Sequence, residues 1–236
     1  MTNNLDTIHD RLQQVLRTIG AAETRYGRTP GSAQLLAVSK TQPATALRAA
    51  ATSGQRRFGE NYLQEALAKI EALADLALEW HFIGPIQSNK TRPIAEHFDW
   101  VHSVDRLKIA ERLSAQRPPA LPPLNICLQV NVSGEASKSG CSLEELPALA
   151  TAVAQLPHLR LRGLMAIPAP ADDFDQQRIP LRELRLALEQ LNARGLALDT
   201  LSMGMSDDLE AAIAEGATLV RVGSAIFGAR PSKPAP

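Results

Sequence analysis

Residues 200–224 read TLSMGMSDDLEAAIAEGATLVRVGS. A short apolar run, Thr200–Ser202, leads into a glycine-bearing turn. A helical pattern follows over Asp208–Glu215, and a second apolar run, Thr218–Val222, ends at Gly223-Ser224. Two strands with a helix between them form one parallel unit, because parallel neighbours need a crossover. The same alternation extends back through the chain. Candidate strands lie at Gln34–Ser39, Arg57–Gly59, Trp80–Ile83, Trp100–Val104, Asn125–Val130 and Leu161–Ala166. Helical patterns separate most of them, at Ala44–Ser53, Leu63–Ala77, Arg106–Gln116, Leu143–Gln155 and Leu181–Arg194. Eight strands, most followed by a helix, in 236 residues predict an α/β fold of one closed (β/α)8 barrel, the TIM type, and not an open doubly wound sheet.

A further amphipathic helix is expected at about 5–25, where Leu5, Ile8, Leu12, Val15, Leu16 and Ile19 recur at helical spacing. Ala169–Arg178 is polar and acidic, follows Pro168, and reads as a long loop after strand six. No composition shift marks a boundary, so one barrel domain is expected over 1–236, with a frayed tail at Pro231–Pro236.

Lys+Arg and Asp+Glu each number 25, and the formal net charge is zero. That balance gives no global attraction to nucleic acid or to an anionic membrane. Two cysteines, Cys127 and Cys141, are too few for a disulfide framework and suit a reducing compartment, so a cytoplasmic location is expected. The N-terminal stretch is charged throughout and lacks an apolar signal core. No run approaches the roughly 18 apolar residues of a membrane span.

In such barrels the working residues stand at the C-terminal ends of the strands. Lys40 follows the apolar run Leu35–Val38, where partial desolvation would lower its pKa and make it an amine nucleophile for an aldehyde. A solvated loop lysine is the plainer reading of Lys40 alone. Loops after strands seven and eight often bind phosphate. Gly204 and Gly223 let the backbone approach an anion, while Ser206 and Ser224 add hydroxyls where helices are expected to open. Ser206 reads equally well as a plain helix cap. Arg221 lies within an apolar strand and must be paired. Its partner is either a barrel carboxylate such as Glu60 or a ligand ring nitrogen. His81, in Trp80-His81-Phe82-Ile83, reads first as a satisfied core histidine. Glu135 and Lys138 sit on a loop and pair with each other in the plainest reading.

The stretches LLAVSKTQP, RRFGENYLQEALAKI, WHFIGPIQSNK, VHSVDRLKIAERL, LQVNVSGEASKSG, LRGLMAIP and LSMGMSDDLEAAIAEGATLVRVGSAIFGAR resemble the pyridoxal phosphate homeostasis protein family, in order and over about residues 33–230. That resemblance implies a barrel similar to the barrel domain of bacterial alanine racemases. It implies that Lys40 carries pyridoxal 5′-phosphate (PLP) as an imine. Ser206, Gly223 and Ser224 match phosphate-binding positions, and Arg221 matches an arginine facing the pyridine nitrogen. Asn61, His81, Met165 and Met203 match residues lining the pocket. Lys138 matches a second lysine that handles PLP. Gln42 stands where many members have lysine, Ser224 where threonine is commoner, and Ile86 where leucine is frequent.

The implied role is intracellular PLP homeostasis, by storage, delivery or regulation, without turnover. A PLP-dependent amino-acid racemase is the alternative. Arg221 keeps its proton at ordinary pH and disfavours protonation of a facing ring nitrogen, which makes the ring a poor electron sink. A racemase also needs an acid or base on the ligand's second face. The tyrosines are only Tyr26 and Tyr62, and Tyr62 alone adjoins the expected pocket. A third reading is a barrel for some other phosphorylated ligand, which leaves Arg221 without a specific task. The expected partners are PLP and apo forms of PLP enzymes, with no nucleic acid, no membrane and no metal, and the expected state is a monomer.

Overall fold

The computed structural model describes residues 4–133 and 139–228. Eight parallel strands follow in sequence order: β1 Gln34–Val38, β2 Arg57–Glu60, β3 Glu79–Phe82, β4 Trp100–Val104, β5 Leu124–Gln129, β6 Leu159–Met165, β7 Thr200–Ser202 and β8 Leu219–Val222. β1 pairs with β8 and closes the (β/α)8 barrel. The strands sit where the apolar runs placed them, with ends that differ by one or two residues. The helices are α1 Asn4–Arg25, α2 Ala44–Thr52, α3 Leu63–Ala72, α4 Thr91–His97, α5 Leu107–Gln116, α6 Leu146–Ala154, α7 Phe174–Ala193, α8 Leu209–Ala214 and α9 Ser224–Phe227. Among the described residues, no helix is long and apolar enough to cross a membrane.

Several helix boundaries differ from the sequence reading. Helix α7 starts at Phe174, inside the segment 169–178 expected to be loop. The Asp173 carboxylate accepts from the backbone N–H groups of Asp175 and Gln176, each at 3.0 Å. Acidic residues that read as loop are therefore the cap and first turn of a helix, where they favour the dipole. Ser206 does not open α8. The Asp208 carboxylate accepts from Met205 N at 2.6 Å, closing a turn over 206–208 before the helix begins at Leu209. Helix α6 begins later than expected, because Ser142 and Glu145 cap one another and form a turn ahead of it. Helix α4, short and containing Pro93, is an addition to the sequence reading.

The strand alternation sorts residues into two cores. Leu35 and Ala37 of β1, Phe58 of β2, Trp80 and Phe82 of β3, and Val220 and Val222 of β8 belong to one continuous core with the helices. Their neighbours point into the barrel. There Trp100, Cys127 and Met165 form a separate apolar cluster, and a polar set built on His81, His102, Ser202 and Arg221 spans the interior. Helix α1 packs beside α2, α8 and α9. Its buried Glu23 accepts from Ala33 N at 2.7 Å and Gly31 N at 2.9 Å, which fixes the entry into β1.

At Gly163 of β6 the neighbouring strand is too close for any side chain. A Cβ there would lie 1.8 Å from the Thr200 carbonyl oxygen. Gly163→Ala is expected to force β6 and β7 apart and cost about 3 kcal/mol or more, the range of severe overpacking. Urea unfolding of the purified variant, read as a fall in midpoint, checks this.

Candidate functional site

At the C-terminal end of the barrel a cavity of about 320 Å³ opens between β1, β8 and the loops that follow β2, β3, β6 and β7. Six of the residues singled out in the sequence line it: Lys40, Asn61, Ser206, Arg221, Gly223 and Ser224. Val38, Ile83, Ile167 and Met205 add apolar wall, and Gln42 and Asp207 add polar groups. The other three residues lie elsewhere. Met165 and Met203 are fully buried in packed apolar surroundings. His81 lies deeper in the barrel, beside a second cavity at the opposite, N-terminal mouth. Lys138 and Glu135 fall outside the described residues.

Lys40 stands on a turn that is held from below. Gln42 N donates to Ser39 O at 3.0 Å, and Thr41 adopts a positive φ of 66°, uncommon for a branched residue. The strain is held by hydrogen bonds. Thr41 N donates to Glu65 Oε1 at 2.5 Å, and the buried Lys69 ammonium donates to Ser39 O at 2.7 Å. Lys69 also pairs with Glu60 Oε1 at 2.8 Å and with Glu65, four residues before it on α3. Ser39 Oγ donates to the same Glu60 oxygen at 2.6 Å. Burial pushes the Glu60 carboxyl up, and Lys69 and Ser39 pull it back toward the charged form. The sequence reading missed Lys69 and Glu65 because neither touches the cavity. The i, i+4 spacing of Glu65 and Lys69 was the available signal.

Arg221 is 4% exposed on β8. One terminal nitrogen donates to Ser202 O at 2.6 Å and Ser202 Oγ at 2.9 Å, and the other donates to Ala166 O at 2.9 Å. The proposed ion pair with Glu60 is not made, because Glu60 turns toward Lys69 and Ser39. Burial lowers the Arg221 pKa to about 10, so the guanidinium keeps its charge at neutral pH. Its backbone is fixed too, since Arg221 N donates to Gly204 O at 2.9 Å. Gly204 has φ +92°, and a Cβ there would meet Ala212 at 2.5 Å, so the loop after β7 needs glycine at this point.

Three features make the cavity suited to a phosphorylated aldehyde. A lysine amine stands at one wall. A fixed cation stands at the floor. Ser206 and Ser224 stand on the short turns after β7 and β8, Ser224 as the first residue of α9, whose leading N–H groups have no partner within the helix. The Asn61 side chain adds a buried amide oxygen that no hydrogen bond reaches. Such an orphaned acceptor, or the NH₂ group if the amide is turned over, is what a bound polar ligand would satisfy. Among the described residues no cluster of His, Cys, Asp and Glu could hold a metal ion.

Fold and site together define a barrel of the alanine racemase N-terminal-domain class: the family model for "Alanine racemase, N-terminal domain" matches residues 11–231. The pyridoxal phosphate homeostasis protein of Pseudomonas aeruginosa is 67% identical over 226 residues, covering 96% of this chain and 97% of its own length. The structure of PipY from Synechococcus elongatus, with PLP bound, is 40% identical with a TM-score of 0.83, covering 94% of this chain and all of that one. Alanine racemase from Corynebacterium glutamicum shares the fold, with a TM-score of 0.72 at 19% identity, and this chain covers 62% of it. The chain belongs to the pyridoxal phosphate homeostasis protein family.

The two interior histidines are expected to make the barrel acid-sensitive. Burial lowers the pKa of His81, against the pull of Glu79. Burial, with His81 and Arg221 adding repulsion, holds His102 well below 6.5. Both rings favour the neutral form in the folded protein more than in the unfolded chain, which takes up protons below about pH 6.5. The unfolded state then binds more protons, so stability is retained above pH 6.5 and lost as pH falls, by up to about 1.4 kcal/mol per unit for each ring. Urea midpoints between pH 7 and pH 5 are expected to drop along this slope. The slope should be shallower in His102→Gln.

Proposed function

We propose that this chain, as a single barrel domain, binds pyridoxal 5′-phosphate as an imine on Lys40 and serves intracellular PLP homeostasis without turnover. The observation that carries the reading is the meeting of Lys40, Arg221 and the two serine-bearing turns around one cavity. PLP supplies an aldehyde for the lysine, a ring nitrogen for the guanidinium and a dianionic phosphate for Ser206, Gly223 and Ser224. Asn61 is assigned to the ring face. His81, Met165 and Met203 are assigned to support from beneath, and Lys138 to a second PLP-handling role.

The protein's own groups favour holding over catalysis. Arg221 is pinned to the Ser202 and Ala166 carbonyls and remains charged, so it gives no proton to a facing nitrogen. When bound, PLP acts as an electron sink, and this setting weakens that property. Racemisation needs a second acid or base opposite the lysine. Tyr26 is engaged elsewhere, with its hydroxyl on Glu210 at 2.9 Å and its ring stacked on Phe174. Tyr62 stands beside the cavity residue Asn61 with its side chain more than half exposed. Apo forms of PLP enzymes are the proposed recipients, and a monomer in the cytoplasm the proposed state.

Borohydride reduction followed by peptide mapping tests the anchor. The reduced adduct is expected on Lys40, and Lys40→Ala is expected to lose the imine absorbance with an unchanged Tm. Label on another lysine would falsify the assignment. Incubation of the holoprotein with L-amino acids is expected to leave their optical rotation unchanged, and a decay of rotation would restore the racemase reading.

A further inference from the structure

A single line of hydrogen bonds crosses the barrel interior from one mouth to the other. Glu79 Oε1, at the N-terminal mouth, lies 2.8 Å from His81 Nε2. His81 Nδ1 lies 2.9 Å from His102 Nε2. His102 Nδ1 lies 2.7 Å from Ser202 Oγ. Ser202 Oγ accepts from Arg221 at 2.9 Å, at the floor of the cavity. His81, His102 and Ser202 have no exposed surface. The His81 ring is clamped by Trp100, stacked at 5.4 Å with planes 10° apart.

The carboxylate end fixes the direction of every proton in the line. With His81 Nε2–H given to the carboxylate of Glu79, the neutral His81 ring must accept at Nδ1 from His102 Nε2–H, and the neutral His102 ring must accept at Nδ1 from the Ser202 hydroxyl, whose oxygen keeps a lone pair for Arg221. His102 then carries its hydrogen on Nε2 and donates to His81 Nδ1. His81 carries its hydrogen on Nε2 and donates to Glu79. The reverse polarity would leave a bare His81 Nε2 facing the Glu79 carboxylate, two acceptors 2.8 Å apart. Glu79 is held ionised by His81 and by Arg57, its ion-pair partner at 3.0 Å.

We propose that His81, His102 and Ser202 are positioning residues that carry the orienting influence of Glu79 through the barrel and set the rotation of the Arg221 guanidinium at the cavity floor. Two carbonyls alone define where the guanidinium's edge sits. The Ser202 hydroxyl defines which way its plane faces, and that hydroxyl is a free rotor unless His102 holds it. The proposal rests on the reading that PLP occupies the cavity, and it extends the cofactor site to a carboxylate at the opposite end of the fold.

Two measurements on the full chain test it. The first needs no ligand: long-range ¹⁵N–¹H spectra of the histidine rings at neutral pH. Both buried rings are expected to be neutral with the hydrogen on Nε2, and Ser202→Ala is expected to move the His102 Nδ1 signal. The second is PLP titration, followed by imine absorbance. Ser202→Ala is expected to weaken PLP about tenfold, the scale of a hydrogen bond to a charged group, and to shift the bound absorption maximum. Ser202→Thr, which keeps the hydroxyl, is expected to stay within about twofold of wild type. An Nδ1–H tautomer on either ring overturns the relay, as does wild-type affinity and absorbance in a folded Ser202→Ala. If the unaltered chain takes up no PLP, the functional reading falls. The tautomers of the unaltered protein then decide the relay alone, as they do if the variants fail to fold.

Discussion

Arg221 is enclosed by a parallel barrel, and its charge is answered by oxygens, not by a carboxylate. A buried guanidinium without partners would cost several kcal/mol, so its acceptors had to be built into the neighbouring strands. The ends of β6 and β7 provide two carbonyls and a hydroxyl. The arrangement shapes what lies around it. The interior faces of β3, β4 and β7 carry His81, His102 and Ser202, where a plain barrel would carry valine and isoleucine. The tight β6–β7 contact at Gly163 brings the strands that bear Ala166 and Ser202 close together. A cation kept charged by its surroundings also supports the proposed reading, in which a ring is held more than it is worked upon.

The lysine side of the cavity solves a different problem. Lys40 must project from a strained turn, and Thr41 accepts an unfavourable φ to allow it. Lys69 and Glu65 of α3 and Glu60 at the end of β2 brace that turn from outside the sheet, and the Lys69 ammonium gives the Ser39 carbonyl a second donor beside Gln42 N. One arm of the site is therefore held by electrostatics outside the sheet, and the other by hydrogen bonds inside it.

Much of this was legible in the sequence. Apolar runs bounded by Gly204, Gly223 or Pro168 marked strands closely, because strand ends at a barrel mouth need glycine, proline or polar residues. Position placed Lys40, Ser206 and Ser224 at the barrel mouth, as polar residues just past strands, but left Lys40 an ordinary loop lysine until the two serine-bearing loops were read with it. Asp173 was not, since an acidic residue looks the same in a loop and in a helix cap until the N–H groups it meets are known. Ser206 looked like a cap because Asp207 and Glu210 follow it, but the helix opens after Asp208, whose carboxylate reaches back to Met205 N and closes the 206–208 turn. The partners of Arg221 could not be read, because main-chain carbonyls leave no mark on a sequence. Nor could the histidine line: His81 and His102 are 21 residues apart, and Ser202 is 100 residues from His102. Only the closed barrel makes them neighbours.

The pairing of β1 with β8, with Leu36 opposite Arg221, joins the two ends of the described chain. The amine that would anchor a ligand is among the first strand elements to be synthesised, and the guanidinium and the last serine turn are among the final ones. Before β8 docks, β1 and β7 are both open edges, and no ligand site exists. Assembly of the pocket and sealing of the sheet are thus the same event. A ligand that bridges Lys40 and the turn after β8 acts as a staple across the barrel's only seam between chain ends, and its binding free energy adds directly to closure. Cofactor supply would then be felt by this protein as resistance to unfolding at that seam.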